Sequence, residues 1–477
     1  MSELRVCIVG CTHAGTIAAI TIREANPKAK ITIIERNDNI SYLSCGIALG
    51  VQGVATSMEG MFYNSVDNMK KLGFDIHSSS NVTDIDFTGK TVNFEHLQTK
   101  QKHTVTYDKI VISCGSWPII PPFARNFFEE GNDQKKVFLC KNYDHAKKLV
   151  ELVKSNDKGD KSISIIGGGY IGIELVEAFA EKKFKVHLVE GGNRIMQRYF
   201  CADYTSQAED NLKKNGVELH LEKLVKSIDD SGDKVTIDLG TEKLTTDYVV
   251  LCIGFMPNTK MVIDSSKKSG KELSTLPNGA IIVNEHCETS ITDVYAVGDA
   301  ATHFNNVTQQ PSYIPLATTA IRLAVVAALN ICGTPIKFPG TQGTSAIKIF
   351  GKTMVSTGVN QEAAEVLLKG TSVKEISIND KWRPEFMPDS STEIHMRLTY
   401  IESSGVVIGA QIVSDIVEVA QMINTVSLAI ANKMTVSDLM LCDFFFNPWF
   451  GKPVHIINLA AIATTFTPPY EEYKEQK

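Results

Sequence analysis

The chain has 477 residues, of which 43% are hydrophobic and 21% are charged. This is too long for a single hydrophobic core and predicts about three domains. A formal net charge of −6 and the lack of any Lys/Arg block argue against a nucleic-acid surface. No apolar run reaches the ~18 residues of a membrane span, and the chain starts directly in a strand-like segment, so the sequence predicts a cytoplasmic protein.

The first predicted unit is a strand–turn–helix–strand stretch, residues 4–37, LRVCIVGCTHAGTIAAITIREANPKAKITIIERN. An apolar strand meets Gly10, a tight turn and Gly15, then a helix, and a second strand ends at Glu35. Glycines in such a turn let backbone N–H groups approach a pyrophosphate, and an acid about 20 residues further on can bind a ribose. Thr12 stands where the middle glycine of the usual G-x-G-x-x-G pattern falls, so this unit alone is weak evidence.

Residues 39–50, NISYLSCGIALG, contain a cysteine with no second one within thirty positions. The ten cysteines are scattered, with no C-x-x-C pair and no zinc-ligand spacing, so neither a disulfide framework nor a metal site is predicted. Most of these thiols fit small buried side chains. Cys45 is either such a packed thiol or a redox centre that works without a partner cysteine.

The second predicted unit, residues 162–192, reads SISIIGGGYIGIELVEAFAEKKFKVHLVEGG. Its complete fingerprint glycines are Gly167, Gly169 and Gly172. A helix over 170–182 and a strand that ends at Glu190 follow in register, which favours a dinucleotide-binding unit over a mere turn. The carboxylate would repel a 2′-phosphate, so the unit is expected to prefer NAD(H) to NADP(H).

Two dinucleotide units favour a flavin together with a nicotinamide, since one chain has no need of two copies of one nicotinamide. Two further strand ends support this pairing: residues 107–122 run from a strand into a small-residue turn, and residues 292–304 (TDVYAVGDAATHF) run through Asp299 into a segment that favours a helix. Asp299 can bind a ribitol hydroxyl, cap a helix, or do both.

These motifs resemble the FAD-dependent pyridine nucleotide-disulfide oxidoreductase family, and within it the NADH oxidase / NADH peroxidase branch. The resemblance runs in order from about residue 4 to 465 and is carried by GCTHAG, SYLSCG, GGGYIGIE, YAVGDA and DFFFNPWFGKPVHIINLAA. It implies an α/β fold with two Rossmann-like domains, for FAD and NAD, and a C-terminal α+β dimerisation domain. The expected boundaries are 1–120 with 257–335 for a split FAD domain, 121–256 for the NAD(H) domain and 336–477 for the dimerisation domain.

The same resemblance makes Cys45 and His13 the catalytic residues. Cys45 is expected beside the flavin, where it alternates between thiolate and sulfenic acid. Ile40 stands where a disulfide reductase has its second cysteine, so oxidation stops at Cys–SOH. A helix that starts at Cys45, and His13 nearby, are expected to lower the pKa of the thiol.

Two binding sets follow from the resemblance. The FAD set comprises Gly10, Cys11, Thr12, His13, Ala14, Gly15, Glu35, Cys45, Val82, Ser113, Cys114, Gly115, Ser116, Lys141, Asp299 and Ala317. The NAD set comprises Gly167, Gly169, Tyr170, Ile171, Gly172, Glu190, Tyr199 and Gly254. Within it, Tyr170 is expected to form an aromatic gate over the flavin that moves when nicotinamide docks.

The third domain is expected to pair strands with a helical stretch whose core face holds Val417, Met422, Ile423, Val426 and Ile430. By resemblance it forms a homodimer and brings the Phe446 region near the partner's flavin. His455 is expected to be structural.

Within the branch, the resemblance favours a water-forming NADH oxidase that uses two NADH per O2, with NADH peroxidase acting on H2O2 as the alternative. Coenzyme A disulfide reductase is less favoured, because Phe446 stands where those enzymes carry a tyrosine. A non-catalytic flavin redox sensor would need an exposed acceptor patch or a second redox cysteine. The expected partners are small molecules and a second copy of the chain, without nucleic acid or membrane.

Overall fold

A computed structural model describes residues 3–129, 132, 135–388 and 390–465. Within them the chain forms three five-stranded sheets with helices against them, and the predicted α/β class is confirmed. Residues 466–477, the end of the predicted third domain, lie outside the described residues. Among those described, no helix is both long and apolar enough to cross a membrane.

The first sheet is parallel, and its strands are buried, apolar runs typical of a sheet covered on both faces. In spatial order its strands are Val294–Ala296, Lys109–Ile112, Arg5–Val9, Lys30–Ile34 and Asp75–His77. The helix His13–Ala25 packs on this sheet beside the helix Ala317–Ile331 through small side chains such as Ala18 and Ala324. This sheet therefore contains both the first strand of the chain and a strand from near residue 295.

The second sheet is also parallel and repeats the same local plan. In spatial order its strands are Glu218–His220, Lys185–Val189, Ser162–Ile166, Tyr248–Leu251 and Val137–Leu139. Its helices are Tyr143–Ser155, Tyr170–Glu181 and Ala202–Lys214. The predicted helix and strand ends of this unit lie within one residue of the observed ones.

The third sheet is antiparallel. In spatial order its strands are Ser345–Ile349, Lys352–Gly358, Val407–Ser414, Glu393–Ile401 and Val373–Lys381. The helices of this part of the chain are Gln361–Leu367, Met422–Ala431, Val436–Met440 and Ile456–Ile462.

The predicted core face of the C-terminal helical stretch is correct in its centre and wrong at its start. Ile423, Val426 and Ile430 are buried, and Met422 packs partly against them. Val417 is 55% exposed, because residues 417–421 form a 3-10 turn whose positions do not share the period of the α-helix that follows.

The remaining elements are short. Two antiparallel three-stranded sheets are formed by Ser80–Asp86, Thr91–His96 and Lys102–Thr106, and by Ser227–Asp229, Val235–Asp238 and Lys243–Thr246. Two strand pairs are Ser116–Pro118 with Phe255–Pro257, and His303–Phe304 with Pro311–Ser312. Three short helices are Ile47–Gln52, Val66–Lys71 and Lys260–Lys268.

The helix expected after Asp299 is not formed. Residues 298–300 make one 3-10 turn, and the chain then enters the strand His303–Phe304. Antiparallel pairing of this strand with the nearby Pro311–Ser312 overrides the helical preference of the small residues before it.

Polar contacts fix the third sheet against the second unit. The guanidinium of Arg397 pairs with Asp203, and that of Arg194 pairs with Glu362. The backbone N–H of Cys201 donates to the Gln411 side-chain oxygen at 2.8 Å. These contacts hold the third sheet against the second unit and so bring together residues that are distant in sequence.

Candidate active site

The first glycine turn joins a strand end to a helix start at very close range. Gly10 has a φ of +95°, and a Cβ there would lie 2.4 Å from the Ser113 carbonyl oxygen. A Cβ on Gly15 would lie 1.9 Å from the Gly10 carbonyl oxygen, so the first turn of the helix presses on the strand end. Both positions require glycine, whereas Thr12 occupies the middle position, just before the helix start at His13.

Glu35 ties this turn to the end of the neighbouring strand. Its buried carboxylate accepts the Cys11 N–H at 2.6 Å, and both the backbone N–H and the side-chain amide of Asn37 at 2.8 Å. Burial raises the pKa of Glu35, and these hydrogen bonds oppose the rise. The acid expected to bind a ribose therefore lies at the glycine turn, where it also holds the backbone in place.

The second glycine turn repeats this geometry. Gly167 has a φ of +110°, and a Cβ on Gly172 would lie 1.9 Å from the Gly167 carbonyl oxygen. Glu190 accepts the N–H of Gly168 at 2.6 Å and that of Gly192 at 2.7 Å. By contrast, a Cβ on Gly169 would meet nothing within 4 Å, so this glycine faces the open side of the turn.

His13 begins the first helix and makes one defined side-chain contact. Its Nδ1 lies 3.0 Å from the Tyr63 hydroxyl, the two rings are stacked 5.7 Å apart, and that hydroxyl donates to the Thr12 carbonyl at 3.2 Å. A Tyr63 hydroxyl that donates to Thr12 can only accept from Nδ1, which assigns the hydrogen of a neutral His13 ring to Nδ1 and the lone pair to Nε2. Burial lowers the pKa of His13, so the ring is neutral near pH 7.

Asp299 lies in a short polar chain rather than at a helix N-cap. Its carboxylate accepts the Ser116 hydroxyl at 2.6 Å and lies 3.3 Å from the Lys141 ammonium, which also donates to the Ser116 oxygen at 2.9 Å. The ammonium sits 4.4 Å from the centre of the Phe255 ring. Lys141 and Asp299, 158 residues apart in sequence, thus form a partly buried ion pair.

Cys45 lies in the 3-10 turn Ser44–Gly46, directly before the helix Ile47–Gln52. Of the ten cysteines, all within the described ranges, it alone is exposed. The expected fall in its pKa is wrong for the protein chain. The pKa is raised, chiefly because neighbouring chain segments reduce the hydration of the thiolate although the side chain reaches the surface, and next because Glu174 is nearby. Lys141 opposes the rise and Asp299 adds to it, which places Cys45 in the field of both.

Cys45 opens into a cavity of about 640 Å³ between the first and second units and the third sheet. Three carboxylates from one helix line it, Glu174, Glu177 and Glu181, with Lys348 facing them. Burial and the charge of Glu177 raise the pKa of Glu174 to about 7, so this acid exchanges its proton near neutral pH. A titratable carboxyl and the exposed thiol therefore line the same cavity.

The other predicted residues are distributed over the two parallel units. In the first unit, Cys11, Ala14, Val82 and Ser113 are buried, Cys114 is half-buried, Gly115 has a φ of +66°, and Ala317 begins its helix. In the second, the rings of Tyr170 and Tyr199 meet edge-on at 4.5 Å, Ile171 is half-buried, and Gly254 has a φ of +106°. The Tyr170 hydroxyl bonds to the Ser345 hydroxyl at 2.7 Å, which links this helix start to the third sheet.

The residues of both turns fit a bound dinucleotide. Buried polar atoms nearly always have a partner, yet the Nε2 atoms of His13 and His303 have none among the described residues. Burial lowers the pKa of His303 to about 4, so its ring is neutral near pH 7. A polar group of a bound dinucleotide would give its Nε2 a hydrogen-bond partner. At the second turn, the open side of Gly169 leaves the backbone accessible to a pyrophosphate.

Two residues of the site were missed by sequence reasoning. Tyr63, in the stretch GMFYNS, supports His13 from 50 positions away, and no periodic pattern marks it. Glu174 carried a detectable signal, a carboxylate on an otherwise apolar helix directly after the glycine fingerprint. Its approach to Cys45 is nevertheless a tertiary contact that spacing cannot reveal.

Comparison with known proteins gives a consistent result. The family model described as pyridine nucleotide-disulphide oxidoreductase matches residues 4–328, and that of its dimerisation domain matches residues 344–455. An NADH oxidase of Enterococcus faecalis is 41% identical over 462 residues, covering 96% of this chain and 99% of that protein. An NADH oxidase of Streptococcus pneumoniae is 34% identical over 464 residues, with the same coverage of 96% and 99%. The solved structure of a water-forming NADH oxidase from Lactobacillus brevis bound to NADH is 37% identical with a TM-score of 0.90, and each chain is covered over 100% of its length.

Proposed function

This chain belongs to the pyridine nucleotide-disulphide oxidoreductase family, and from that premise we propose that it is an FAD-dependent NADH oxidase that reduces O2 to water. Relatives named NADH oxidase match it over nearly their whole length. One structural observation carries the water-forming step: Cys45, the one exposed thiol among the described cysteines, opens into the cavity that Glu174 also lines.

We assign FAD to the first unit, residues 1–120 with 257–335, and NADH to residues 121–256. The backbone of the turn at Gly10 to Gly15 would hold the FAD pyrophosphate, Glu35 its ribose, and the Asp299–Lys141–Ser116 group its ribitol side. When bound, FAD supplies the hydride-accepting and dioxygen-reducing chemistry that protein side chains lack.

NADH is assigned to the second glycine turn by the same reasoning. The helix start at Tyr170 presents its N–H groups to the pyrophosphate, while Glu190 accepts a ribose hydroxyl and repels a 2′-phosphate. The ring of Tyr170 meets that of Tyr199 edge-on. We propose that it is the aromatic gate expected from the family resemblance and that it moves when the nicotinamide docks.

Cys45 would complete the reduction by taking the second oxygen atom of peroxide. Its thiolate attacks H2O2, the S–O bond forms as the O–O bond breaks, and the departing hydroxide takes a proton to become water. Two electrons and two protons, derived from a second NADH and a solvent proton, then convert Cys45–SOH to the thiol and a second water. Because Ile40 stands where a resolving cysteine would be, no internal disulfide competes.

His13 and Glu174 are suited to the proton transfers of this cycle. The Nε2 lone pair of His13 can accept a proton, and its Nδ1 is held by Tyr63. Glu174, whose pKa is raised to about 7, can deliver a proton from the cavity to the hydroxide that leaves Cys45.

We also propose a homodimer formed by residues 336–477. The dimerisation model matches residues 344–455, and its segment near residue 446 exposes large apolar side chains. Phe446, 48% exposed, is proposed to approach the partner's flavin, where an apolar ring would keep water away from reduced oxygen. The cytoplasmic location expected from the sequence stays a prediction.

The experiment that tests this function follows NADH, O2 and H2O2 together, with purified FAD-loaded protein in aerated buffer. The oxidase proposal expects two NADH consumed per O2 and no accumulated H2O2. Rapid NADH oxidation that requires added H2O2 would support the peroxidase alternative instead, while no turnover without an added protein partner would support a redox sensor.

A further inference from the structure

Three metal-ligating side chains meet at the open edge of the second sheet, outside every residue assigned to a nucleotide. His187 lies on the strand Lys185–Val189, and Glu218 and His220 lie on the edge strand Glu218–His220. Glu218 pairs in register with His187, and His220 follows two positions later, so both side chains point to the same face of the sheet.

The ligand atoms of this cluster already stand at coordination spacing. The Nδ1 of His187 lies 3.2 Å from the Nε2 of His220 and 3.2 Å from a carboxylate oxygen of Glu218. Zinc–nitrogen bonds of about 2.0–2.1 Å in a tetrahedron place neighbouring ligand atoms about 3.3 Å apart. All three atoms lie within 4.8 Å of one another. The two separations of 3.2 Å already match edges of such a tetrahedron, and a small rotation of the half-exposed Glu218 would bring its oxygen to a similar distance from His220.

Hydrogen bonding alone does not satisfy this arrangement well. Nε2 of His220 and a carboxylate oxygen of Glu218 both lie 3.2 Å from Nδ1 of His187. A neutral Nδ1 either donates one hydrogen or accepts one, so in either tautomer a single hydrogen cannot serve both contacts fully. His187 has only 4% of its side chain exposed, so water cannot freely supply a second donor. One cation placed among the three lone pairs satisfies all of them at once.

We propose that His187, Glu218 and His220 bind one zinc-class divalent transition-metal ion, with the remaining coordination position open to water. Two imidazoles and one carboxylate suit zinc and disfavour magnesium, which prefers oxygen ligands in an octahedron. Lys185 donates to the other oxygen of Glu218 at 3.0 Å and so orients the carboxylate toward the imidazoles. A bound ion would link the edge strand Glu218–His220 to the strand Lys185–Val189. Glu190 lies next to this link, because its backbone N–H donates to the His220 carbonyl.

The test uses full-length, FAD-loaded protein freed of metals with a chelator and then dialysed against Zn²⁺. We expect the wild type to retain about one more zinc ion per chain than His220→Gln or Glu218→Gln. His395→Gln is the matched control, because His395 also lies on a strand beside a glutamate but has no second histidine, and it should retain as much zinc as the wild type. Mg²⁺ in place of Zn²⁺ should give no difference among the four proteins.

Zinc-edge anomalous diffraction from zinc-soaked wild-type crystals locates the ion independently of any variant, which covers the case in which a variant misfolds. A peak between His187 and His220 supports the proposal. Equal zinc retention by the wild type and His220→Gln, or anomalous density confined to cysteine sulfurs, would overturn it.

Discussion

The pKa of the Cys45 thiol depends on charged groups of both parallel units, Glu174 and Lys141 in the second and Asp299 in the first. The surrounding chain and the carboxyl of Glu174 raise the pKa of its thiol, whereas the Lys141 ammonium lowers it. Since the pKa of Glu174 is raised to about 7, its negative charge is present mainly above neutral pH, where it disfavours the thiolate. The ionisation of Glu174 therefore opposes that of Cys45, and the reverse also holds.

We accordingly predict that Glu174→Gln shifts the pH profile of Cys45 alkylation by iodoacetamide to lower pH. The neutral amide removes the like charge, so at pH 8 a larger share of the thiol is ionised and alkylation is faster. Glu181→Gln, on the same helix and cavity but not among the groups that shift the pKa of Cys45, should keep the wild-type profile. An unchanged profile for Glu174→Gln would show that the two groups are not coupled.

We predict that Glu190 also discriminates between the two nicotinamide nucleotides. Glu190→Gln removes a charged acceptor, a loss of about 1.5–3 kcal/mol, so kcat/KM for NADH should fall about tenfold or more. NADPH should lose less, because repulsion of its 2′-phosphate is removed at the same time. Steady-state kinetics with both nucleotides measure the ratio. Glu242→Gln, a half-exposed carboxylate of the same unit, is the control, and an unchanged ratio for Glu190→Gln would contradict the assignment.

At the scale of elements, each parallel unit depends on how closely its first helix approaches its strand. In both units, a Cβ on the third fingerprint position would lie 1.9 Å from a backbone oxygen, although the middle position is Thr12 in one and Gly169 in the other. Both units therefore require a glycine at the third fingerprint position so that the helix can pack closely on the strand. The residue at the middle position differs between the two units.

This leads to opposite expectations for two glycines of one turn. Gly172→Ala forces the helix away from Gly167 and should cost about 1–3 kcal/mol, seen as a lower thermal unfolding midpoint. Gly169→Ala enters open space and should leave that midpoint unchanged, while it raises KM for NADH by crowding the pyrophosphate. Equal thermal midpoints for the two variants would contradict the geometry of the turn.

The local elements could be predicted from the sequence, but the contacts between them could not. The strand–glycine–helix order of both units could be predicted because neighbouring residues determine it, and the observed helix Tyr170–Glu181 ends within one residue of the expected end. The strand His303–Phe304 was not predicted, because each strand of its hairpin with Pro311–Ser312 has only two residues and so shows no periodic pattern. The cluster of His187 with Glu218 and His220 was missed for a different reason, because its ligands come from two strands that are far apart in sequence.

At the scale of the whole molecule, the exposed apolar residues of the C-terminal part are the most conspicuous surface feature. Leu441, Phe445, Trp449 and Phe450 are 60–83% exposed, and such a group of large apolar side chains marks an interaction surface. Because the dimerisation family model includes this segment, a second copy of the chain is the expected cover.

We predict that Phe450→Asp weakens the dimer by at least about 2 kcal/mol, the range of a central interface residue, or roughly thirtyfold in its dissociation constant. Light scattering on a sizing column measures the mass at several concentrations. Leu224→Asp, equally exposed but in the second unit, should leave the dimer intact. Wild-type protein that is monomeric, or a Phe450→Asp protein that is dimeric at all concentrations, would contradict the assigned interface.

The product formed by Cys45→Ser tests most directly whether one sulfur atom makes the difference between peroxide and water. With simultaneous recording of NADH, O2 and H2O2, the variant should consume one NADH per O2 and release one H2O2, because serine cannot be oxidised by peroxide. Cys332→Ser, a half-buried cysteine away from the cavity, should behave as the wild type and form water. A Cys45→Ser protein that still consumes two NADH per O2 and forms only water would contradict the role given to Cys45.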